Sequence, residues 1–177
     1  SGIYEYGQNL ESAFLLQRSL FLPHEIEEIL TPEIFKYGFE ELNILENMKE
    51  DIKDIQEKKL TIMYLEIKYY LCSKLLRDSD WTSMAHSVEM RTPLVDWFFF
   101  KQLIPLLKSK ININKNTLLK CVESKVPNEL FTRKKTGFGV PLRNYLNQFT
   151  QDKKKYSHPM KDWAILSYKK YLSQNMK

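Results

Sequence analysis

Two short stretches hold side chains whose types and spacing could do chemistry. The first is FTRKKTGFGVPL, residues 131–142, where Arg133, Lys134 and Lys135 run into Gly137 and Gly139, two of the chain's five glycines, with Pro141 behind them. A basic last turn followed by glycine is one way a helix stops, because cations suit the negative end of the dipole and glycine accepts a left-handed cap. A second glycine two residues on, bracketing Phe138, asks for more than a cap. It describes a loop that turns sharply or passes close to something, with Phe138 as its apolar anchor. Lysines beside such a loop suit a phosphate, since a point charge and exposed amides together hold an anion. On these residues alone both readings stand.

The second stretch is RDSDWTSMAHSVEMRTPLVDW, residues 77–97, where Asp78, Asp80, Glu89 and Asp96 face Arg77 and Arg91 among small and apolar residues. Charges in apolar surroundings are usually paired, because breaking a buried pair costs about 3–5 kcal/mol. Asp80, Glu89, Arg91 and Asp96 are therefore read as structural ion pairs in buried surroundings. Glu89 and Arg91 lie two apart before Pro93, so on an extended segment they point to the same side. Asp96, just ahead of WFFF, also suits a helix N-cap.

The elements that must position these stretches read as helical almost throughout. ESAFLLQRSLFL (11–22) ends before Pro23, PHEIEEIL is a short helix, and Thr31-Pro32-Glu33 has the cap, first-turn proline and early acid of a third. From Lys59 to about Arg77, the residues Leu60, Met63, Ile67, Tyr70, Leu71 and Leu75 mark one face of a long helix, expected to be core. Further helices are expected at 97–107, bent or ended around Pro105, and at 116–125, 142–149 and 159–173, the last with Met160, Trp163, Ala164, Tyr168 and Tyr171 on one side. Alternating strand patterns are missing. The expectation is an all-α, irregular multi-helix array: residues 1–177 form a single helical domain, with 150–177 as a tail carrying one helix and no phosphate-binding strand–loop–helix of its own.

Composition supports a globular chain, with 43% hydrophobic and 13% aromatic residues. No run of about 18 apolar residues exists, and SGIYEYGQNL lacks a signal-peptide layout. The chain begins without Met and reads as part of something longer. Cys72 and Cys121, far apart and without metal-site spacing, are read as buried free thiols of a reducing compartment, hence a cytoplasmic location. His24, His86 and His158 are scattered, and no metal site is expected. The net charge of +5 divides sharply: residues 1–100 carry 10 Lys and Arg against 18 Asp and Glu (−8), residues 101–177 carry 17 against 4 (+13). A basic half implies an anionic partner or a solvated lysine-rich face. A helical nucleic-acid module would use the same charge, but no recognised binding motif accompanies it.

Together, D-W-T-S-M-A-H-S-V-E-M-R-T-P-L-V-D at 80–96 and F-T-R-K-K-T-G-F-G-V-P-L at 131–142 resemble the synthetase domain of glutamine-dependent asparagine synthetases, whose members show S-M-A-x-S-x-E-x-R-x-P-x-x-D and then R-K-K-x-G-F. The likeness runs from about Glu11, where AFLLQRSLFLP is also family-like, to about Leu146. It implies the helical C-terminal portion of an α/β adenine-nucleotide hydrolase-like domain. Members use ATP and magnesium to adenylate the side-chain carboxylate of aspartate, releasing pyrophosphate; ammonia from a separate glutaminase domain then displaces AMP. The family's lysine before the glycine-phenylalanine step meets the phosphates as charge builds up. By that likeness Lys135 is the catalytic cation, with Gly137 and Gly139 letting the loop approach the nucleotide. The family's S-G-G-x-D-S loop, its G-x-D-E-x-x-G-G-Y segment and its glutaminase are not in this sequence. Those portions of the same enzyme are the expected partners, and the chain alone is expected to bind no cofactor and to be inactive. Trp81 stands where many members have arginine, which leaves the acceptor carboxylate open. A degenerate interaction domain that kept the fold is the alternative.

Overall fold

The computed structural model describes residues 4, 6–109, 114–122, 125, 127, 129–134, 141–149 and 158–175, and among them every regular element is helical. The all-α array expected from periodicity is what forms. Helix α1 (Leu10–Arg18) starts where Asn9 Oδ1 accepts a hydrogen bond from the Ser12 amide at 3.0 Å. Pro23 opens α2 (Pro23–Glu27), and the Glu25 carboxylate reaches back to accept from the Leu22 amide at 2.9 Å. In α3 (Pro32–Leu42) Thr31 Oγ1 accepts from the Ile34 amide, as the Thr31-Pro32-Glu33 spacing predicts. Asn43, at φ 35°, ends α3, and α4 (Ile44–Ile52) begins at once. Asparagine tolerates the left-handed region, so one residue breaks a continuous helix in two. This fourth helix has no counterpart in the expectations drawn from spacing and caps.

The chain forms two compact units, Ser1–Asp51 with Phe138–Lys177, and Ile52–Gly137. In the first, Tyr6, Phe14, Met48 and Leu146 are buried, each side chain worth roughly 1.5–3 kcal/mol of apolar transfer. Helices α10 (Leu142–Phe149) and α11 (Pro159–Asn175) pack against each other and lie where the sequence predicts helices. The apolar side of α11 is only partly covered: Ala164 and Tyr168 are half-buried, as are Lys161, Asp162, Ile165 and Leu166, while Met160, Trp163 and Tyr171 are exposed. Ion pairs set its rotation: Lys161 Nζ binds Glu25 on α2 and lies 5.3 Å from the Phe21 ring centre, and Asp162 faces Arg143 of α10 at 3.9 Å. Turning α11 to bury its aromatic stripe would expose and break both pairs.

The Lys161 ammonium, and behind it the Leu22 amide, hold the Glu25 carboxyl below its usual range. A depressed carboxylate contributes stability that is present above the unfolded pKa and lost as pH falls through the folded one. For a partly exposed pair the contribution is about 1 kcal/mol. Acidification from pH 6 to below the usual carboxylate range is therefore expected to lower the melting temperature of the native chain more than that of Glu25→Gln. Equal acid sensitivity of the two, followed by circular dichroism, would contradict it.

The second unit is organised by one continuous helical run. Helix α5 (Lys58–Leu65) passes into a π-helical segment (Glu66–Leu76) and then α6 (Arg77–Met84). The wider i→i+5 winding is echoed by Ser73 Oγ, which donates to the carbonyl five residues back, Lys68, at 2.8 Å. It also corrects the expected core stripe. Leu65 is fully buried at 0% exposure and Thr61 is buried, while Leu60, Met63, Ile67, Tyr70 and Leu71 are half-buried and Leu75 is exposed. A stripe drawn at 3.6 residues per turn drifts off its neighbours once the winding changes. Helix α7 (Trp97–Lys108) runs through Pro105 rather than ending there, because a proline in the final turn removes only one ladder bond. Helices α8 (Lys115–Cys121) and α9 (Glu129–Thr132) complete the unit. Cys72 and Cys121 are free, as expected, but exposed rather than buried. With only Thr61 and Leu65 buried among its described residues, this unit has too small a core to cover either thiol.

Candidate functional site

The stretch 77–97 is a helix end, an exit and a new helix start. The Val88 amide donates to the Ser83 carbonyl at 3.1 Å and the Ser87 amide to Met84 at 2.9 Å, with Ser87 left-handed at φ 57°. That pair of bonds is a Schellman motif closing α6. Serine stands where glycine is usual, and the short S-M-A-H-S sequence carries no glycine to announce the stop. Thr82 and Ser83 add hydroxyl bonds to the Asp78 and Asp80 carbonyls at 2.6 and 3.1 Å. The chain then runs without regular structure to the short turn Pro93–Val95, and Asp96 Oδ1 accepts from the Phe99 amide at 2.9 Å to start α7. The N-cap expected of Asp96 is formed.

The charged residues sort differently from a buried network. Arg91 Nε and Nη2 both reach the Glu89 carboxylate at 3.3 Å, so the two point to the same side as their spacing predicts. The pair is open to solvent, Arg91 at 82% and Glu89 at 70% exposure. Arg77 faces Asp78 at 3.5 Å and lies over the Trp81 ring at 5.3 Å. Among the described residues no cation pairs with the exposed Asp80 carboxylate. Buried surroundings, which would make these pairs costly to break, are not what surrounds them in this chain. Exposed pairs are worth about 0–1 kcal/mol. Glu89→Gln is therefore expected to shift the unfolding free energy of the isolated chain by less than about 1 kcal/mol, and a loss of 3 kcal/mol in urea titration would show the pair to be covered.

The basic stretch begins at the end of α9, where the Arg133 amide donates to the Glu129 carbonyl at 3.0 Å. Arg133 and Lys134 are exposed, and among the described residues neither side chain has an ionic partner. Two accessible cations can meet an anion, and they also suit the negative end of the helix dipole at the close of α9. Lys135, Gly137 and Gly139 lie outside the described residues. The Pro141 carbonyl accepts from the Asn144 amide at 3.0 Å as α10 begins. No group of three His, Cys, Asp or Glu among the described residues could hold a metal ion, and no described helix is long and apolar enough to cross a membrane.

Comparison with known proteins gives these stretches a context. The chain is 34% identical over 88 residues to "Asparagine synthetase [glutamine-hydrolyzing] 1" of Bacillus subtilis (strain 168), an alignment that covers 48% of this chain and 14% of that protein. No solved structure matches. The family model described as asparagine synthase matches residues 15–176, a span that holds both motifs, and the chain belongs to the asparagine synthase family.

Proposed function

We propose that this chain is the helical C-terminal portion of a cytoplasmic glutamine-dependent asparagine synthetase. The observation that carries the reading is the pair of motifs, S-M-A-x-S-x-E-x-R-x-P-x-x-D and R-K-K-x-G-F, in order within a family match over residues 15–176. The reaction so implied transfers the adenylyl group of ATP to the side-chain carboxylate of aspartate, with magnesium and release of pyrophosphate, before ammonia displaces AMP. Bound ATP and magnesium supply the activated phosphate and part of its charge neutralisation. Arg133, Lys134 and Lys135 are the residues of this chain suited to the phosphates, and Lys135 is the one that meets the charge developing on them, with Gly137 and Gly139 giving the loop its close approach. By the family resemblance, magnesium's ligands belong with the S-G-G-x-D-S and G-x-D-E-x-x-G-G-Y segments of the partner portions.

The test is exchange of labelled pyrophosphate into ATP. The 177-residue chain alone is expected to give no aspartate-dependent exchange, whereas the complete synthetase containing it exchanges and, with ammonia, forms asparagine. Exchange by the chain alone, or none by the complete protein, would overturn the reading.

A further inference from the structure

Helix α3 leans on its own unit through little of its surface: from Pro32 to Leu42 only Phe35 and Gly38 are half-buried, and the rest are exposed. Ile34, at 46% exposure, and Leu42, at 61%, are apolar side chains left open on it. With Gly38 they stand four apart, Glu41 beside them, so α-helical winding gathers all four on one face. Glycine weakens a helix interior, yet a Cβ at Gly38 would meet nothing within 4 Å, so no neighbour among the described residues asks for a residue that small. The result is a notch between two exposed apolar side chains. On α11 the exposed residues Met160, Trp163, Ser167, Lys170, Tyr171 and Gln174 recur every three or four positions and form one stripe. Within it Trp163, Ser167, Lys170 and Tyr171 repeat the spacing of Ile34, Gly38, Glu41 and Leu42: large apolar, small, charged, large apolar, with the charge reversed.

We propose that α11 of one copy of this chain seats on α3 of a second copy, the two helices parallel, with Ser167 against Gly38, Trp163 against Ile34, Tyr171 against Leu42 and Lys170 against Glu41. Both faces are open in the same unit, so neither covers the other within one chain. Charge selects the pairing. Among the described residues Glu41, Lys169 and Lys170 have no ionic partner, whereas Lys36 on the far side of α3 faces Glu40 at 4.0 Å and Asp162 of α11 is taken up with Arg143. α3 against its own copy sets Glu41 beside Glu41, and α11 against its own copy sets lysine beside lysine; only the unlike faces attract. Glycine opposite serine lets the helix axes come close enough for the flanking apolar pairs to touch, since the side chains at the contact set that distance. A two-fold arrangement makes the contact twice and stops at a dimer, and any other repeats it into longer assemblies.

Sedimentation velocity on the 177-residue chain over a range of concentrations tests it. The native chain is expected to associate as concentration rises. Glu41→Lys and Lys170→Glu, each of which sets like charges together, are each expected to weaken association about tenfold or more, and the two combined in one chain to restore it. Gly38→Leu fills the notch and is expected to abolish association while keeping the helical circular dichroism of the native chain, because its side chain has open space within one copy. A chain that stays monomeric up to its solubility limit would overturn the proposal, as would association that none of the substitutions weakens or that the double reversal fails to recover. Hydroxyl-radical footprinting identifies the other occupant: protection of Tyr37 and Trp163 in the complete synthetase at every concentration, with none in the chain alone, assigns these faces to another portion of that enzyme and overturns the contact between copies.

Discussion

Leu65→Ala is expected to destabilise the chain by about 2–5 kcal/mol. Leu65 is the one large side chain among the described residues with 0% exposure, and it stands at the last turn of α5, where the winding changes to the π-helical segment. Truncation removes the apolar transfer free energy of the missing atoms and leaves a cavity that the surrounding helix can only partly close. The unit around it has almost no other buried side chain to share the loss. Leu75→Ala is the matched control, since Leu75 is apolar, in the same helical run and exposed, and its change should stay within about 0.5 kcal/mol. Urea unfolding followed by circular dichroism at 222 nm measures both. A Leu65→Ala shift as small as the control's would show that this position is not the unit's core.

What the sequence made legible follows from local chemistry. Thr31 before Pro32, Asp96 before Trp97, the helix at 142–149 and the last helix, expected at 159–173 and formed over Pro159–Asn175, are readable because caps, prolines and turn residues act within a few positions of themselves. The break at Asn43 and the stop at Ser87 are not, since neither residue carries glycine's signature although both take left-handed φ. Faces were harder still. An amphipathic stripe says which side of a helix is apolar but not which neighbour covers it, so α11 turns to satisfy Lys161 and Asp162, and the π-wound turns displace the stripe from Leu60 to Leu75. Glu89 and Arg91 pair as their spacing predicts, yet burial depends on bodies beyond the segment. The family itself was legible, because two motifs in order are specific where each alone is short.

Lys135→Ala in the complete synthetase is expected to cut the adenylation rate by about a hundredfold or more while leaving folding intact, as for a group that acts mainly on the transition state. The reasoning is positional. Consecutive residues of a loop point in different directions, and Lys135 is the cation nearest Gly137 and Gly139, where the backbone has the freedom to come close to a phosphate. Lys134 sits one residue further from the glycines, exposed and without an ionic partner among the described residues, so its charge contributes mainly through the general field around the site. A developing negative charge on the phosphates is stabilised most by a donor placed to meet it, and one such donor is worth about 3–4 kcal/mol. The measurement is pyrophosphate exchange on Lys135→Ala and Lys134→Ala side by side, with melting curves to confirm that both fold. A loss of about a hundredfold at Lys135 with a far smaller one at Lys134 is the predicted result; equal losses, or a larger loss at Lys134, would contradict it.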